Sequence, residues 1–231
     1  MMKRTRKQIE IFEEDSNEFF SFIAGYTEGR VPFGVTWEEM ISQELKLRPA
    51  VKTDAKIAAE LIHIAIDDIA EQLTGKTESK SIRDSLSHFF QQERTRLSFQ
   101  NTIVSDVLGE VVGIVVMYPG ESASQLDEPI LKSLRKKRNN PDIFLDKEAD
   151  EGDFYIDTIC VSANYRGYGI GTALIKEAER VGCEKGYHRI SLNVAHDNLC
   201  VKKLYLSLGY SKEKVIQING HNYDYMVKKM M

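Results

Sequence analysis

Val161-Ser-Ala-Asn-Tyr-Arg166-Gly167-Tyr168-Gly169-Ile170-Gly171-Thr172 lies between a strand-like segment, Phe154 to Val161, and a helix-like one, Thr172 to Lys185. Glycines at alternate positions let the main chain turn tightly and come close to a ligand. The first amides of the following helix have no intrahelical acceptor, and the helix dipole favours negative charge beside them, most often a phosphate. The segment therefore predicts a seat for a phosphorylated ligand at a strand-to-helix junction.

Around this junction the pattern alternates between the two periods. Leu45 to Arg48 reads as a strand stopped by Pro49, and Thr53-Asp54 opens a helix carrying Ala58, Leu61, Ile62, Ala65, Ile66 and Ile69 on one face. A second helix is predicted over Ser79 to Arg96, then strands over Phe99 to Val107 and Val111 to Tyr118 joined by Leu108-Gly109-Glu110. Residues 119–152 form a long polar connection with a short helix around Pro129 to Lys137; connections of such length are often functional. After the loop come a strand (His188 to Ala195), a helix (Asn198 to Leu208) and a hairpin (Lys212 to Ile218, His221 to Val227) turning at Asn219-Gly220.

Residues 1–44 differ in character. Phe19 to Thr27 and Pro32 to Thr36 read as a hairpin about Glu28-Gly-Arg, and Thr36-Trp-Glu-Glu39 as a capping box opening a helix. We read them as an N-terminal extension packed on the core or serving as an arm for a partner, a homodimer among them. Residues 45–231 then form the principal domain.

Composition limits the function classes. The net charge of -4 argues against nucleic acid, whose phosphates demand concentrated Lys and Arg. The three cysteines, Cys160, Cys183 and Cys200, lack C-x-x-C spacing, which indicates neither a disulfide framework nor a zinc site and fits a reducing, cytoplasmic setting. The basic start, Lys3 to Lys7, runs into acidic residues rather than an apolar segment, and no apolar run is of membrane length. No targeting segment, membrane or metal is expected.

Other glycine loops fit less well. Gly75-Lys76-Thr77 imitates the end of a P-loop, but Ala70 stands at the first glycine and a helix precedes it. A dinucleotide loop, G-x-G-x-x-G, needs a glycine where Thr172 stands. Gly120-Glu-Ser-Ala-Ser124 lacks the final glycine of a hydrolase elbow. Arg166, Gly169 and Gly171 do satisfy R-x-x-G-x-G. With Ile159-Cys-Val161 before them, Leu174 and Leu192-Asn-Val194 after, and Asn198-x-x-Val-x-x-Leu204-Tyr205-x-x-x-Gly209-Tyr210 closing, the chain from Leu45 onward resembles the GNAT superfamily of acyl-CoA-dependent N-acyltransferases.

That resemblance implies a mixed α/β fold with a central, mostly antiparallel sheet and four main helices. It also implies transfer of an acetyl group from acetyl-CoA to a primary amine of a small molecule or peptide. The coenzyme A pyrophosphate would sit on Arg166, Gly167, Tyr168, Gly169, Ile170, Gly171 and Thr172. Backbone groups of Ile159, Cys160 and Val161 would pair with pantetheine, with Asn198 nearby, and the amide near Val161 would bond the thioester oxygen. Tyr205, a phenol with a reference pKa of about 10, would protonate the leaving thiolate, unless it is simply core on the stripe of Val201, Leu204, Tyr205 and Leu208.

Asp157 is the best-placed carboxylate for general base, with Tyr155 and His196 lesser candidates; Asn193 and Tyr155 would position the acceptor. The acidic residues from Asp146 to Asp157 either line the acceptor cleft and attract a cation or form a solvated loop. The basic run Lys132 to Arg138 reads as a solvated helix face or a contact for the 3′-phosphate. Two other classes stay open: a non-catalytic acyl-CoA-binding module and a nicotinamide-dependent oxidoreductase.

Overall fold

The computed structural model describes residues 16–230, so the basic start at Lys3 to Lys7 lies outside the described residues. The chain divides into two compact units between Lys46 and Leu47, a boundary that falls inside one strand.

In the first unit β1 (Phe20–Tyr26) pairs antiparallel with β2 (Pro32–Thr36), and α1 (Trp37–Glu44) follows. The capping box forms as the sequence predicts. The Glu39 amide donates to Thr36 Oγ1 at 3.1 Å, and Glu39 Oε2 accepts from the Thr36 amide at 2.9 Å, satisfying donors that a helix start would leave orphaned. Ile23 and Ile41 are its buried apolar side chains.

The larger unit is built on a sheet that begins with β3 (Leu45–Pro49). Then come α2 (Ala55–Ile66), α3 (Asp68–Thr74), α4 (Ser79–Gln91), β4 (Thr102–Val107), β5 (Glu110–Pro119), α5 (Ala123–Arg138) and β6 (Phe154–Val161). The chain closes with α6 (Ile170–Glu184), β7 (Arg189–Ala195), α7 (Leu199–Ser207), β8 (Ser211–Ile218) and β9 (His221–Lys229). The sheet order is β3-β4-β5-β6-β7-β9-β8, and of the five neighbour pairs whose register is resolved only β6–β7 is parallel.

The observed helices differ from the predicted ones in their bounds, for local reasons. The apolar face that starts in α2 runs on into Ile69, but Asp67 adopts φ 41°, a conformation costly for a residue with a Cβ, and the chain breaks there into α3. Helix α4 stops at Gln91 rather than Arg96, because Gln92 is extended. The following turn instead carries Arg96 into the interior, where it is 3 % exposed. Helix α5 starts six residues before Pro129 and contains it. Proline removes one amide donor and crowds the carbonyl one turn back, a weak point that the helix nonetheless carries.

One core packs α2, α4 and the connection against β4, β5 and Cys160. On α6, a Cβ at Gly182 would lie 2.5 Å from Ile190 Cδ1 and 2.8 Å from Phe154 Cδ1. Glycine there lets the helix sit directly on β6 and β7, the two strands that form the site.

Candidate active site

Strands β6 and β7 pair through three positions only: Phe154 with Ile190, Tyr155 with Ser191 and Ile156 with Leu192. Beyond them β6 continues on β5 and β7 continues on β9, so the two strands part into a fork. Residues 157–161 and 193–195 thus keep backbone edges that face each other without a shared rung, and buried backbone groups require partners. At the base of the fork the β5–β6 register slips: Val116 faces Thr158 and Met117 faces Ile156, leaving Asp157 as the extra residue of a β-bulge.

At the fork's mouth lies the glycine loop. Gly167 and Gly169 have φ of 91° and 78°, values a Cβ disfavours, and Gly169 is the N-cap of α6 with no side chain bonded to the first turn. The first main-chain bond of the helix is Ala173 N to Gly169 O at 3.0 Å, so the amides of Ile170, Gly171 and Thr172 precede the ladder. A Cβ at Gly171 would meet only Val161 Cγ2, at 3.8 Å, and one at Gly167 or Gly169 would meet nothing within 4 Å. The loop is open. Arg166 is exposed and donates from Nε to the Val161 carbonyl at 3.1 Å, which ties the loop to the end of β6.

Behind the bulge the side chains close into a dense charged cluster. Arg96 Nε and Nη2 reach Asp157 Oδ2 at 2.8 and 2.7 Å, and Nη2 also reaches Glu148 Oε2 at 2.8 Å. Asp127 Oδ1 lies 3.5 Å from Nη1. Tyr118 donates to Asp157 Oδ2 at 2.6 Å, and Thr158 donates to Asp157 Oδ1 at 2.9 Å. Tyr155 donates to Glu148 Oε2 at 3.0 Å, while Asn193 Nδ2 donates to the Tyr155 hydroxyl at 2.8 Å and to the Glu148 carbonyl at 2.9 Å.

Burial works against the Arg96 charge, yet Asp157 and Glu148 hold its pKa well above the usual value. Burial also pushes the Tyr118 and Tyr155 phenols well above theirs. Asp127, the carboxylate with the longest link to the cation, is pushed by burial to about 6, against the pull of Arg96. A cavity of ≈ 150 Å³ adjoins the cluster, bordered by Arg96, Tyr118, Asp127 and Glu148.

The sequence-predicted residues fall into separate groups. Asp157, Tyr155 and Asn193 meet in this cluster, where their polar groups are mostly engaged by protein. Asp157 accepts from Arg96, Tyr118 and Thr158, a set of donors that leaves it little capacity as a base. Asn198 caps α7, its Oδ1 accepting from the Val201 amide at 3.2 Å. His196 is exposed and bonded through Nδ1 to Asp224 at 2.8 Å.

Tyr205 is 9 % exposed, with its ring 5.8 Å from that of Tyr210, and its hydroxyl has no partner among the described residues. Burial pushes its pKa up to about 12. Cys160 is buried, and burial raises its thiol pKa against the opposing pull of Arg166, so it stays a thiol rather than a nucleophilic thiolate.

Nor do the acidic residues of the connection form one funnel. Asp146 accepts the Asn219 amide, Asp150 pairs with Lys214, and Asp153 with Arg189. Arg96 and Tyr118 escaped the sequence reading altogether. Arg96 looked like the end of a helix and Tyr118 like an ordinary strand aromatic.

The chain belongs to the acetyltransferase (GNAT) family, whose model matches residues 65–210. A solved structure described as an acetyltransferase is 32 % identical, with a TM-score of 0.67 over 80 % of this chain and 100 % of that one. An N-acetyltransferase from Staphylococcus aureus Mu50 is 25 % identical, with a TM-score of 0.69 over 79 % and 99 %. PH1933 from Pyrococcus horikoshii OT3 shares the fold at 20 % identity, with a TM-score of 0.52 over 81 % and 99 %. No curated protein matches the chain by sequence. Among the described residues no helix is long and apolar enough to cross a membrane, and no group of three His, Cys, Asp or Glu is arranged to hold a metal ion.

Proposed function

We propose that the chain transfers an acetyl group from acetyl-CoA to a primary amine of a small molecule or peptide, by direct attack with both substrates bound. The observation that carries this reading is the fork beside an open glycine loop. Open amides of Ile170, Gly171 and Thr172 suit a pyrophosphate, with Arg166, Gly167, Tyr168 and Gly169 around it. The free edge of Ile159, Cys160 and Val161 suits the amides of pantetheine, and Asn198 is assigned to the same ligand. Bound acetyl-CoA supplies the activated acetyl group.

In this reading Tyr205 gives its proton to the departing sulfur. A phenol raised to about 12 keeps that proton throughout the range in which a free amine can attack. The proton lost by the amine goes to Glu148 rather than Asp157. Glu148 Oε2 is held by Arg96 and Tyr155, but Oε1 has no partner among the described residues, and the side chain borders the ≈ 150 Å³ cavity. Asp157 and Arg96 act as positioning residues that fix Glu148 and the bulge, and Tyr155 on β6 and Asn193 on β7 orient Glu148.

Thiol release from acetyl-CoA over a panel of polyamines, amino acids, aminoglycosides and peptides tests the reaction. Release with at least one amine is expected, and tight binding without any release would leave a binding module. Tyr205→Phe should lower kcat by about 10²–10⁴-fold with acetyl-CoA affinity nearly unchanged. Glu148→Gln should lower kcat by about 10²-fold or more with acetyl-CoA affinity nearly unchanged. Full turnover in either variant removes that residue from the mechanism.

A further inference from the structure

We propose that the basic groove between α4 and α5 is a second binding site, one that takes an organic phosphate. The groove is open to solvent, has a volume of ≈ 660 Å³ and shares no lining residue with the glycine loop, the fork or the cavity beside Arg96. That volume suits a whole small molecule rather than a single ion.

Three lysines from two elements converge on it: Lys76 from the turn after α3, and Lys136 and Lys137 from the end of α5. A basic last turn on a helix is ordinary, since cations there complement the dipole. Dipole complementarity does not explain why Lys76 joins them from another element, in a chain of net charge -4. Lys137 Nζ is drawn in by the Thr74 carbonyl at 2.9 Å. Arg138 Nε and Lys137 Cδ both lie 3.7 Å from where a Cβ of Gly75 would stand, so the end of α5 overlies the turn that carries Lys76.

Such crowding is unfavourable until an anion offsets it, and it lowers the Lys137 pKa, burial first and Lys76 next. One carboxylate, Asp84, also borders the groove and leaves the cations in excess. The Ser133 hydroxyl has no partner among the described residues, and Phe89 gives the groove a buried apolar side chain. Cations, a hydroxyl and an aromatic suit a phosphate attached to an organic body.

Calorimetric titration of the full chain with inorganic pyrophosphate and with adenosine 5′-triphosphate, at low salt, tests the site. One site that acetyl-CoA does not displace is expected, with a dissociation constant below about 1 mM, tighter for the nucleotide because the groove has an apolar side chain to offer. In the double variant Lys76→Glu/Lys136→Glu both probes should weaken at least tenfold, while acetyl-CoA affinity stays unchanged. Should that pair fail to fold, Lys76→Ala/Lys136→Ala reads the same effect. Absence of binding overturns the proposal. So does binding that acetyl-CoA displaces and the double variant leaves intact, since the probe then sits on the glycine loop. Selective loss of acetyl-CoA over its 3′-dephospho form in the double variant also overturns it, because the lysines then serve the 3′-phosphate.

Discussion

The glycine loop and the Arg96 cluster stand on either side of the same strand and treat polar groups in opposite ways. The loop exposes donors and leaves them open, with no side chain capping α6. The cluster sets one buried cation among three largely buried carboxylates and gives most of its polar atoms a partner, with Asn193 Oδ1 and Glu148 Oε1 as exceptions among the described residues. An unmet donor at the surface costs little because water serves it until a ligand arrives, whereas an unmet charge inside costs several kcal/mol. Recognition is therefore placed where polar groups can wait, and geometry is fixed where they cannot.

The sharpest way to break this contrast is to remove the buried cation. Arg96→Leu leaves Asp157, Glu148 and Asp127 facing one another and should cost about 3–5 kcal/mol of stability, read by urea unfolding. A loss below about 1 kcal/mol would mean that the carboxylates find other partners.

Gly171→Glu is the opposite operation. The side chain has room, so melting should shift by no more than a degree or two, yet a carboxylate beside the open amides should weaken acetyl-CoA binding at least tenfold. Equal loss of stability and affinity would erase the division between the two regions.

The smallest effect concerns Asp127, whose carboxyl is pushed by burial to about 6 in the folded chain, above the ordinary aspartate value of about 3.9. A raised folded pKa means the native state holds the proton more tightly. The stability this contributes is present below about pH 4 and is lost as pH rises through about 6. Asp127→Asn should remove that dependence and raise stability at pH 8 by on the order of 2 kcal/mol relative to wild type. Parallel stability curves for the two proteins between pH 4 and 8 would show that Asp127 does not titrate in this range.

Legibility in the sequence followed the range of the interactions. Strand β6, the hairpin at Asn219-Gly220 and the capping box at Thr36 were readable because period, turn chemistry and cap act within a few residues. The glycine loop was readable for the same reason. The break at Asp67 and the inward turn at Arg96 were not, because tertiary partners stabilise them. Arg96 meets residues 31 and 61 positions away, and no local pattern records such a meeting. Asp157 was read as the general base, but its neighbours decide what it does: Arg96, Tyr118 and Thr158 occupy its lone pairs.

Three shared positions are few for the joint that connects one half of a seven-stranded sheet to the other. Mechanically the sheet is two blades, β3-β4-β5-β6 and β7-β9-β8, stitched at Phe154 to Ile156. A ligand whose amides bridge the open seam would act as an additional rung, transmitting its binding energy into rigidity across the whole C-terminal blade. Hydrogen exchange should register this as slower exchange along residues 190–195 and their β9 partners when acetyl-CoA is added.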